Sequence, residues 1–564
     1  MDRFNLGAHS RTVSTTSREA QRWFDLGLNW CYGFNKAEGV RCFRKALEFD
    51  PGCVMAHWGI AFGSGPFYNL TWREHGASEA DACTKVAYEH IRLARSLAAS
   101  ASDVENRLVE ALARRFQSPH AVEPHEFDRW DDEYAAEMRN VHNAFPDDDD
   151  VTALYVEALL MRTPRRLWNM KTGMPAAGSD VVEALEACER AMDRALKAGA
   201  PQHPAIVHLH IHATEMSNEP ERSMAAADAL APLCPDAGHL NHMPGHVYVL
   251  CGLYDKAIEA SARALRADNM FLDYAGPLTF YTVACCHDLH LMMHTCMLAG
   301  RYAGALAAAD KIRSILTREV LSVPDRPKFT MSLEGYFAMR SHVMVRFGRW
   351  QEIIDEPELD DPELYRISTP MQHYAKAVAY AYQKRFSEAD EQRARFHQSV
   401  ERLPPGHRFF NNPSRDILAV GAKMLEGELE YHRGNHKAAY ECLRESVRRD
   451  DNLEYIEPWA WMHPPRHALA ALLMEQGHLA EAEAIYRDDL GLTRRIQRCA
   501  QHPDNVWALH GLVECLERRN EATELPALRE RLAAALSFAD VPITSSCMCR
   551  AEVHKPDHCC SARR

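Results

Sequence analysis

Apolar residues recur along most of the chain with the three-to-four-residue spacing of amphipathic helices. The clearest stretch carries its landmarks on two such helices: Trp23, Leu26, Gly27 and Trp30, then Gly39, Phe43, Ala46 and Pro51. Small residues let two helices approach closely, large residues fill the groove between them, and a proline ends the second helix. Residues 20–51 are therefore predicted to form a helical hairpin.

The same pattern returns in weaker form along the rest of the chain. It starts at turns that are each followed, two positions on, by an aromatic or apolar residue: Gly252, Gly300, Gly348, Lys384, Gly434 and Gly477. One hairpin cannot bury its apolar face alone, so repeats of this kind stack into an array. Because the period-two alternation of strands is nearly absent, we predict an all-α fold, an α-solenoid of helical hairpins curled around a central pocket.

The landmarks also suggest boundaries. We predict N-terminal helices over 1–162, a loop insertion over 163–180, His-rich repeats over 181–320, C-terminal repeats over 321–540, and a Cys-rich, disordered tail over 541–564. Long insertions in a repeat array gather on one face, which is often the binding face.

The composition changes this picture little. Apolar residues make up 46% and charged residues 26% of the 564 residues, as in soluble globular proteins. A net charge of −14 argues against a nucleic-acid partner. No apolar run is long enough for a membrane span, and the first residues lack the apolar core of a secretory signal. Thirteen of the 17 cysteines are scattered through the helical patterns, which is typical of a reduced, cytoplasmic protein.

Histidine is the compositional outlier, since ten of the 30 histidines fall between His203 and His294. His208, His212 and Glu215 share a stripe about 60° wide on one predicted helix, while His210 points to the opposite side. His287, His290 and His294 follow the i, i+3, i+7 spacing of one face on an unbroken helix. The sequence thus offers imidazoles on the faces of neighbouring helices.

A third group, His239, His242 and His246, has the same spacing, but Pro244 interrupts it. Two arrangements are open. Either one helix carries all three, or a helix starts near Pro244, with His239 and His242 on the preceding loop and His246 in the first turn.

Equivalent helices of neighbouring repeats lie side by side, so these faces are expected to form one wall. Imidazole is a good ligand for copper, iron and zinc, and a carboxylate can complete a site. The predicted ligands of such a transition-metal ion are His208, His212, Glu215, His239, His246 and His287, and the predicted acid–base groups are Glu215, His242 and His290. A metal-free polar pocket and purely structural histidines are the alternatives.

Other candidates concern the substrate and the tail. Glu457, Trp461 and Arg466 lie in a proline-rich segment that could cover a pocket, with the arginine binding a substrate carboxylate, and His57 could face the same pocket. The segment could equally be a rigid connection between repeats. The tail holds Cys547, Cys549, Cys559 and Cys560, soft ligands for Cu(I) or Zn(II) or else parts of a redox-sensitive disordered end. Phosphate-loop, dinucleotide, nucleophile-elbow and kinase motifs are missing.

These residues carry a resemblance that covers most of 14–512. The hairpin at 20–51 and the segments around His212-x-x-Glu215 and Gly238-His239-x-x-His242-Met243-Pro244-x-His246 resemble long tetratricopeptide-repeat (TPR) proteins of bacteria and fungi, related to the tetratricopeptide-repeat 38-like group. His287 falls on a histidine of the family pattern, Gly39 departs from its usual alanine, and the cysteine tail lies outside it. The resemblance implies an α-solenoid and no particular reaction.

Two functions compete at this point. The first is a metal-dependent enzyme that performs oxidative or hydrolytic chemistry on a small molecule. The second is a scaffold whose concave groove binds a peptide of a partner protein. A scaffold groove should be open and lined by Lys, Arg and Asn, whereas a metal enzyme should bring imidazole nitrogens together at one point.

Overall fold

The structure is a computed structural model that describes residues 3–323 and 327–550. This part of the chain forms two compact units. Among the described residues, unit 1 comprises 3–251, 256–288 and 327–329, and unit 2 comprises 252–255, 289–323 and 330–550. Apart from one short β-ribbon and two isolated bridges, the regular structure of the described residues is helical.

Unit 1 takes its helices from the first half of the chain. They are α1 (Arg18–Tyr32), α2 (Lys36–Phe49), α3 (Val54–Ser64), α4 (Ala77–Ser96), α5 (Asp103–Ala113), α6 (Pro124–Ala144), α7 (Asp149–Met161), α8 (Val181–Ala198), α9 (Pro204–Thr214), α10 (Met224–Leu230), α11 (Gly238–Leu250), most of α12 (Tyr254–Ala275) and the first part of α13 (Tyr281–Leu298). The segment 163–180 between α7 and α8 contains no helix.

Unit 2 holds the end of α13 and the helices that follow. These are α14 (Tyr302–Ile315), α15 (Arg318–Leu321), α16 (Pro327–Ala338), α17 (Arg340–Arg346), α18 (Trp350–Asp355), α19 (Ser368–Tyr382), α20 (Phe386–Glu401), α21 (Ser414–His432), α22 (His436–Asp450), α23 (Pro465–Glu475), α24 (Leu479–Asp489), α25 (Val506–Arg518) and α26 (Leu525–Phe538). The ribbon pairs β1 (Arg408–Phe409) with β2 (Asn412–Pro413) in antiparallel register.

The predicted hairpin at 20–51 is confirmed as the pair α1 and α2. A Cβ atom added at Gly27 would lie 2.6 Å from the Phe43 ring, and one added at Gly39 would lie 2.6 Å from the sulfur of Cys31. Gly27 of α1 thus faces Phe43 of α2, and Cys31, further along α1, faces Gly39, which comes earlier in α2. The two helices are therefore antiparallel. Gly39 therefore allows the two helices to approach closely, as expected of the small residue at this position, and Phe43 fills the groove between them.

The later repeats follow the same plan. Helices pack in the pairs α19–α20, α21–α22, α23–α24 and α25–α26, and alternate helices such as α19 and α21 or α23 and α25 also touch. The predicted turn residues Gly252, Gly300, Gly348, Gly434 and Gly477 all have positive φ, as does Lys384. Hairpins that stack on one another through alternate helices form a TPR-like α-solenoid, so the predicted fold class is confirmed.

One helix boundary differs from an expectation. The possibility that a helix starts near Pro244 is wrong, because α11 begins at Gly238 and runs through Pro244. Its start is fixed by packing: an added Cβ at Gly238 would lie 1.9 Å from the Asp268 carboxylate, and the Asn241 amide donates to the carbonyls of Cys234, Pro235 and Ala237. All three histidines therefore lie on one helix. No helix of residues 3–323 and 327–550 is long and apolar enough to cross a membrane.

Candidate metal centre

Six histidines of unit 1 come together from three helices. We call them the six-histidine cluster and divide it into a first triad (His208, His212 and His239) and a second triad (His242, His246 and His287). Helix α9 supplies two of the residues, α11 three and α13 one. Within each triad, one ligand atom of each residue lies within 4.8 Å of the others. Histidines separated by as many as 79 positions in the sequence, from His208 to His287, thus meet in space.

The first triad presents ring nitrogens to ring nitrogens. Nε2 of His208 lies 3.1 Å from Nε2 of His239. On its other side, Nδ1 of His208 lies 2.9 Å from the carbonyl oxygen of Tyr32. A carbonyl only accepts, so Nδ1 of His208 carries the hydrogen and its Nε2 is a bare lone pair. Nε2 of His212, which is buried, has no hydrogen-bond partner among the described residues.

The second triad has the same character. Nε2 of His242 lies 2.7 Å from Nε2 of His246, and the His242 ring centroid lies 4.7 Å from that of His287. The centroids of His239 and His242 are 6.2 Å apart, so the two triads are neighbours along α11. The relative exposure of the five cluster histidines on α9 and α11 is 3% or less, whereas His287 is partly exposed.

Carboxylates lie on the outer side of the imidazoles. Nδ1 of His212 lies 2.8 Å from one oxygen of Glu215, whose pKa burial raises well above its usual value, and the other oxygen of Glu215 lies 3.9 Å from Nδ1 of His246. Asp288 lies 3.4 Å from Nδ1 of His242. Such outer partners fix the ring orientation and leave Nε2 free to bind. Glu215, predicted as a ligand and an acid–base group, thus sits behind one imidazole of each triad.

Burial controls the protonation of this region. It lowers the pKa of His208, His239, His242 and His246 well below the usual value, with neighbouring imidazoles adding to the shift. Burial, followed by the charge of Arg165, lowers the pKa of His212 to about 3. The imidazoles on α9 and α11 are therefore neutral at physiological pH, the form in which imidazole binds metals.

Aromatic rings cover the first triad. Phe34, in the turn between α1 and α2, stacks on His239 with centroids 5.1 Å apart and contacts Phe67 at the same distance. The Tyr68 ring lies 4.6 Å from that of His212. Phe34, Asp288 and the Tyr32 carbonyl also belong to the site, and no sequence pattern indicated them. The one available sequence signal was that Phe34 directly precedes Asn35, which caps the N-terminus of α2. The structure places Phe34 in a turn with a positive φ of 59°.

Of the remaining predicted residues, His57, His290, Trp461 and Arg466 have other surroundings. His57 pairs with His90, their Nδ1 atoms being 2.9 Å apart. His290, Glu457, Trp461 and Arg466 belong to unit 2. His290 lies 2.8 Å from the sulfur of Met462, Trp461 packs on His342 and Tyr374, and Arg466 is paired with Asp451 at 2.5 Å. The guanidinium predicted to bind a substrate carboxylate thus already has a carboxylate of the protein.

Two further groups combine histidine with aspartate. In unit 1, Asp150 accepts from His9, His203 and Tyr32 at 3.0, 3.1 and 2.6 Å and is paired with Arg11. We call this group the Asp150 hub. In unit 2, Asp489 accepts from His467, His502 and Asn505 at 2.8 to 2.9 Å. In both, the imidazoles face a carboxylate rather than each other.

The start of the predicted tail is buried instead of disordered. Cys547 and Cys549 are 1% and 2% exposed and are joined by a disulfide bond. The disordered tail predicted from 541 is therefore corrected for residues 541–550, because polar and apolar anchors hold them in unit 2. Cys559 and Cys560 lie outside the described residues.

No family model matches the chain, and no curated protein matches it. Among solved structures it is similar to a chain of the APC/C hetero-tetramer Cut9-Hcn1 (12% identical, 92% of this chain and 76% of that chain, TM-score 0.29). It is also similar to yeast Tom70 (11%, 92% and 93%, 0.26) and to human IFIT1, seen as a dimer with m7Gppp-AAAA (12%, 93% and 91%, 0.27). Scores of this size carry no functional argument, and the fold assignment rests on the hairpin contacts. The resemblance to the tetratricopeptide-repeat 38-like group stays a prediction.

Proposed function

We propose that this TPR-like protein binds a pair of transition-metal ions in its six-histidine cluster, one ion per triad, and acts on a small molecule there. The supporting observation is the tautomer of His208. Since its Nδ1–H is given to the Tyr32 carbonyl, its Nε2 lone pair faces His239. One proton on His239 satisfies that contact, but the Nε2 of His212 remains without a partner among the described residues. A cation satisfies all three lone pairs at once.

The distances fit this proposal. Two nitrogens bound to one tetrahedral ion at about 2.0–2.1 Å lie about 3.3 Å apart. The observed Nε2 separations are 3.1 Å in the first triad and 2.7 Å in the second, so the first matches that value closely and the rings of the second would move apart by about 0.6 Å around an ion. Three imidazoles per ion leave a coordination position open, as catalytic sites require.

Copper is the metal we propose first, with iron and zinc as alternatives. The innermost donors of both triads are imidazole nitrogens, and copper heads the affinity order for such sites. Carboxylates, which favour harder ions, lie behind the rings at Glu215 and Asp288. Copper or iron supplies redox chemistry when bound, so an oxidative reaction is favoured over a hydrolytic one.

The protein's own residues then bind and orient. The Tyr32 carbonyl holds His208 in one tautomer, and Glu215 orients the ring of His212. Phe34, Phe67 and Tyr68 form an aromatic wall over the first triad, and both Phe34 and His287 are partly exposed. This side therefore offers an apolar approach to the cluster, which suits a small aromatic or apolar substrate better than a charged one.

Elemental analysis of purified protein tests the proposal. The wild type is expected to hold close to two equivalents of metal after loading, and a His212→Ala plus His246→Ala variant is expected to hold neither tightly. His210→Gln is the matched control, because His210 lies on α9 between two proposed ligands but contacts Ser223 and Glu189. Equal trace metal in wild type and double variant would refute the proposal.

Single-triad variants separate two ions from one. His208→Ala plus His239→Ala should remove one equivalent and leave the second triad loaded, and His242→Ala plus His287→Ala should do the reverse. Loss of both equivalents from either variant would indicate a single shared ion. The alternative function, a scaffold that binds a partner peptide, stays a prediction. It would be favoured if every variant retained its partner binding without metal.

A further inference from the structure

The segment Ser546–Arg550 is built into unit 2 by three anchors. The hydroxyls of Ser546 and Tyr486 are 2.5 Å apart, and Arg550 is paired with Glu514 at 2.8 Å. Between them, Met548 packs on the end of α17, where an added Cβ at Gly348 would lie 3.1 Å from the Met548 Cβ. A cysteine pair that only closed a loose chain end would not need to be buried and anchored in this way.

The buried cysteines face a histidine. Sγ of Cys547 lies 4.0 Å from Nε2 of His463, and the backbone N–H of Cys549 donates to the same sulfur at 3.3 Å. His463 is 2% exposed, and its Nδ1 has no hydrogen-bond partner among the described residues. A metal–sulfur bond of about 2.3 Å and a metal–imidazole bond of about 2.0 Å together span about 4.3 Å. One ion can therefore reach both atoms.

A buried cation lies near His463 without a hydrogen-bonded anion among the described residues. Arg346 on α17 is 2% exposed, and neither terminal nitrogen has a hydrogen-bond partner among the described residues. Burial, followed by the charge of Arg346, lowers the pKa of His463 well below its usual value. The Arg346 guanidinium stacks on the Trp507 ring at 3.9 Å. The charge of Asp489 only partly offsets the burial, which lowers the pKa of Arg346 to about 9, so this region favours a ligand complex that carries a further negative charge.

We propose that Cys547, Cys549 and His463 form a Cu(I) site that opens when the disulfide is reduced. Two electrons and two protons from a thiol reductant convert the disulfide into two thiols, and the reductant leaves as its own disulfide. One Cu(I) ion then displaces both thiol protons. The resulting bis-thiolate complex bears one negative charge, which Arg346 offsets, and His463 supplies the third donor.

The donor set favours Cu(I) over zinc. Thiolates select soft ions, and a structural zinc site requires four ligands, whereas these residues provide two sulfurs and one imidazole. The site lies in unit 2 and does not depend on the metal centre proposed in unit 1. The two proposals can therefore fail separately.

Anaerobic Cu(I) titration against a chromophoric Cu(I) chelator tests this site, with the full-length protein first reduced by dithiothreitol that is removed anaerobically before the titration, because a dithiol itself binds Cu(I). The Cys547→Ser plus Cys549→Ser variant is expected to lose one equivalent that the wild type binds, and His463→Ala and Arg346→Leu to bind it at least tenfold more weakly. Cys559→Ser plus Cys560→Ser is the matched control and should keep that equivalent, as should His212→Ala plus His246→Ala.

X-ray absorption of the His212→Ala plus His246→Ala protein, loaded with one Cu(I), should show two sulfur scatterers and one nitrogen. Unchanged Cu(I) binding in the Cys547→Ser plus Cys549→Ser variant would overturn the proposal. So would loss of the equivalent in the Cys559→Ser plus Cys560→Ser control. Circular dichroism of the metal-free variants separates lost binding from lost folding, and a misfolded double serine variant is replaced by the single Cys549→Ser variant, which should bind at least tenfold more weakly.

Discussion

Unit 1 contains histidines in two contrasting surroundings. In the Asp150 hub, imidazoles and a tyrosine hydroxyl donate to one carboxylate, and Arg11 is its charged partner. In the six-histidine cluster, Nε2 atoms face one another at 3.1 and 2.7 Å, and the carboxylates lie behind the rings. The hub is complete as it stands, because every polar atom of the carboxylate has a donor. In the cluster, by contrast, Nε2 of His212 has no hydrogen-bond partner among the described residues.

The two regions differ in a property that separates structural histidines from metal-binding ones. Burial alone does not do so, since His203 in the hub and His208 in the cluster are both buried. What differs is the direction of the ring nitrogens. An imidazole facing a carboxylate belongs to a finished network, whereas imidazoles that face each other direct several ring nitrogens towards one point.

Metal removal should have the largest effect on stability, and only through the six-histidine cluster. Ligand binding stabilises the folded state by about 4 kcal/mol for each ion when the free metal is 1,000 times its Kd. Treating the loaded wild type with a strong chelator is thus expected to lower its Tm by many degrees, measured by calorimetry. The His212→Ala plus His246→Ala variant should show no response to the chelator, and an equal response in both would contradict the assignment.

Asp150→Ala should damage the hub and spare the cluster. It leaves His9, His203 and Arg11 without their shared carboxylate, and breaking a buried ion pair costs about 3–5 kcal/mol. Urea unfolding should show this loss, while elemental analysis should show wild-type metal content per folded molecule. Full retention of stability would mean that the hub contributes little.

Acid should distinguish the two regions in metal-free protein. Below the ordinary imidazole pKa of 6.5, the unfolded chain binds protons on the cluster histidines, whereas the folded state keeps His212 neutral down to a pKa of about 3. The contribution of each such histidine to stability therefore falls as the pH drops from 6.5, by about 1.4 kcal/mol per pH unit, whereas the buried acids Glu215 and Asp288, whose pKa values burial raises, contribute with the opposite sign. His212→Gln should remove one such contribution from the slope, measured by urea unfolding at pH 6 to 4.

The hub responds at lower pH. Although burial alone would raise it, hydrogen bonds from His203 and His9 hold the pKa of Asp150 well below 3.8. Its stabilising contribution is therefore present above pH 3.8 and is lost only as the pH falls towards the folded value. An Asp150→Asn variant with an altered slope between pH 6 and 4 would show that the two regions are not independent.

His210→Gln should have the smallest effect. His210 donates to or accepts from Ser223 and Glu189, and one such hydrogen bond contributes about 1 kcal/mol. We expect a loss of that size in urea unfolding with unchanged metal content. Loss of an ion from this variant would show that α9 as a whole, rather than its Nε2 atoms, holds the metal.

The histidine faces could be predicted from the sequence because helical periodicity fixes which residues share a face. That His208, His212 and Glu215 lie together follows from their spacing, and so does the grouping of His239, His242 and His246 once α11 is continuous. The continuity itself could not be predicted, because it depends on Asp268 packing against Gly238, 30 positions away.

The roles within the site were beyond the sequence for a different reason. Periodicity places Glu215 near His212 but does not say which ring nitrogen it meets, and the Tyr32 carbonyl is a backbone atom with no signature. Likewise, His290 follows the spacing of His287, but three residues along α13 carry it into unit 2. Spacing describes one helix, whereas the site depends on contacts between helices.

The partial exposure of His287 bears on how quickly ions would exchange. Five of the six imidazoles are sealed from solvent, so an ion in the first triad is held where water and competing ligands arrive only during local opening of the helices. The second triad contains the one partly exposed ring of the cluster, that of His287. An isotopically labelled ion should therefore replace the resident one at the second triad first, and the lag before the first triad follows would report how often α9 and α11 separate.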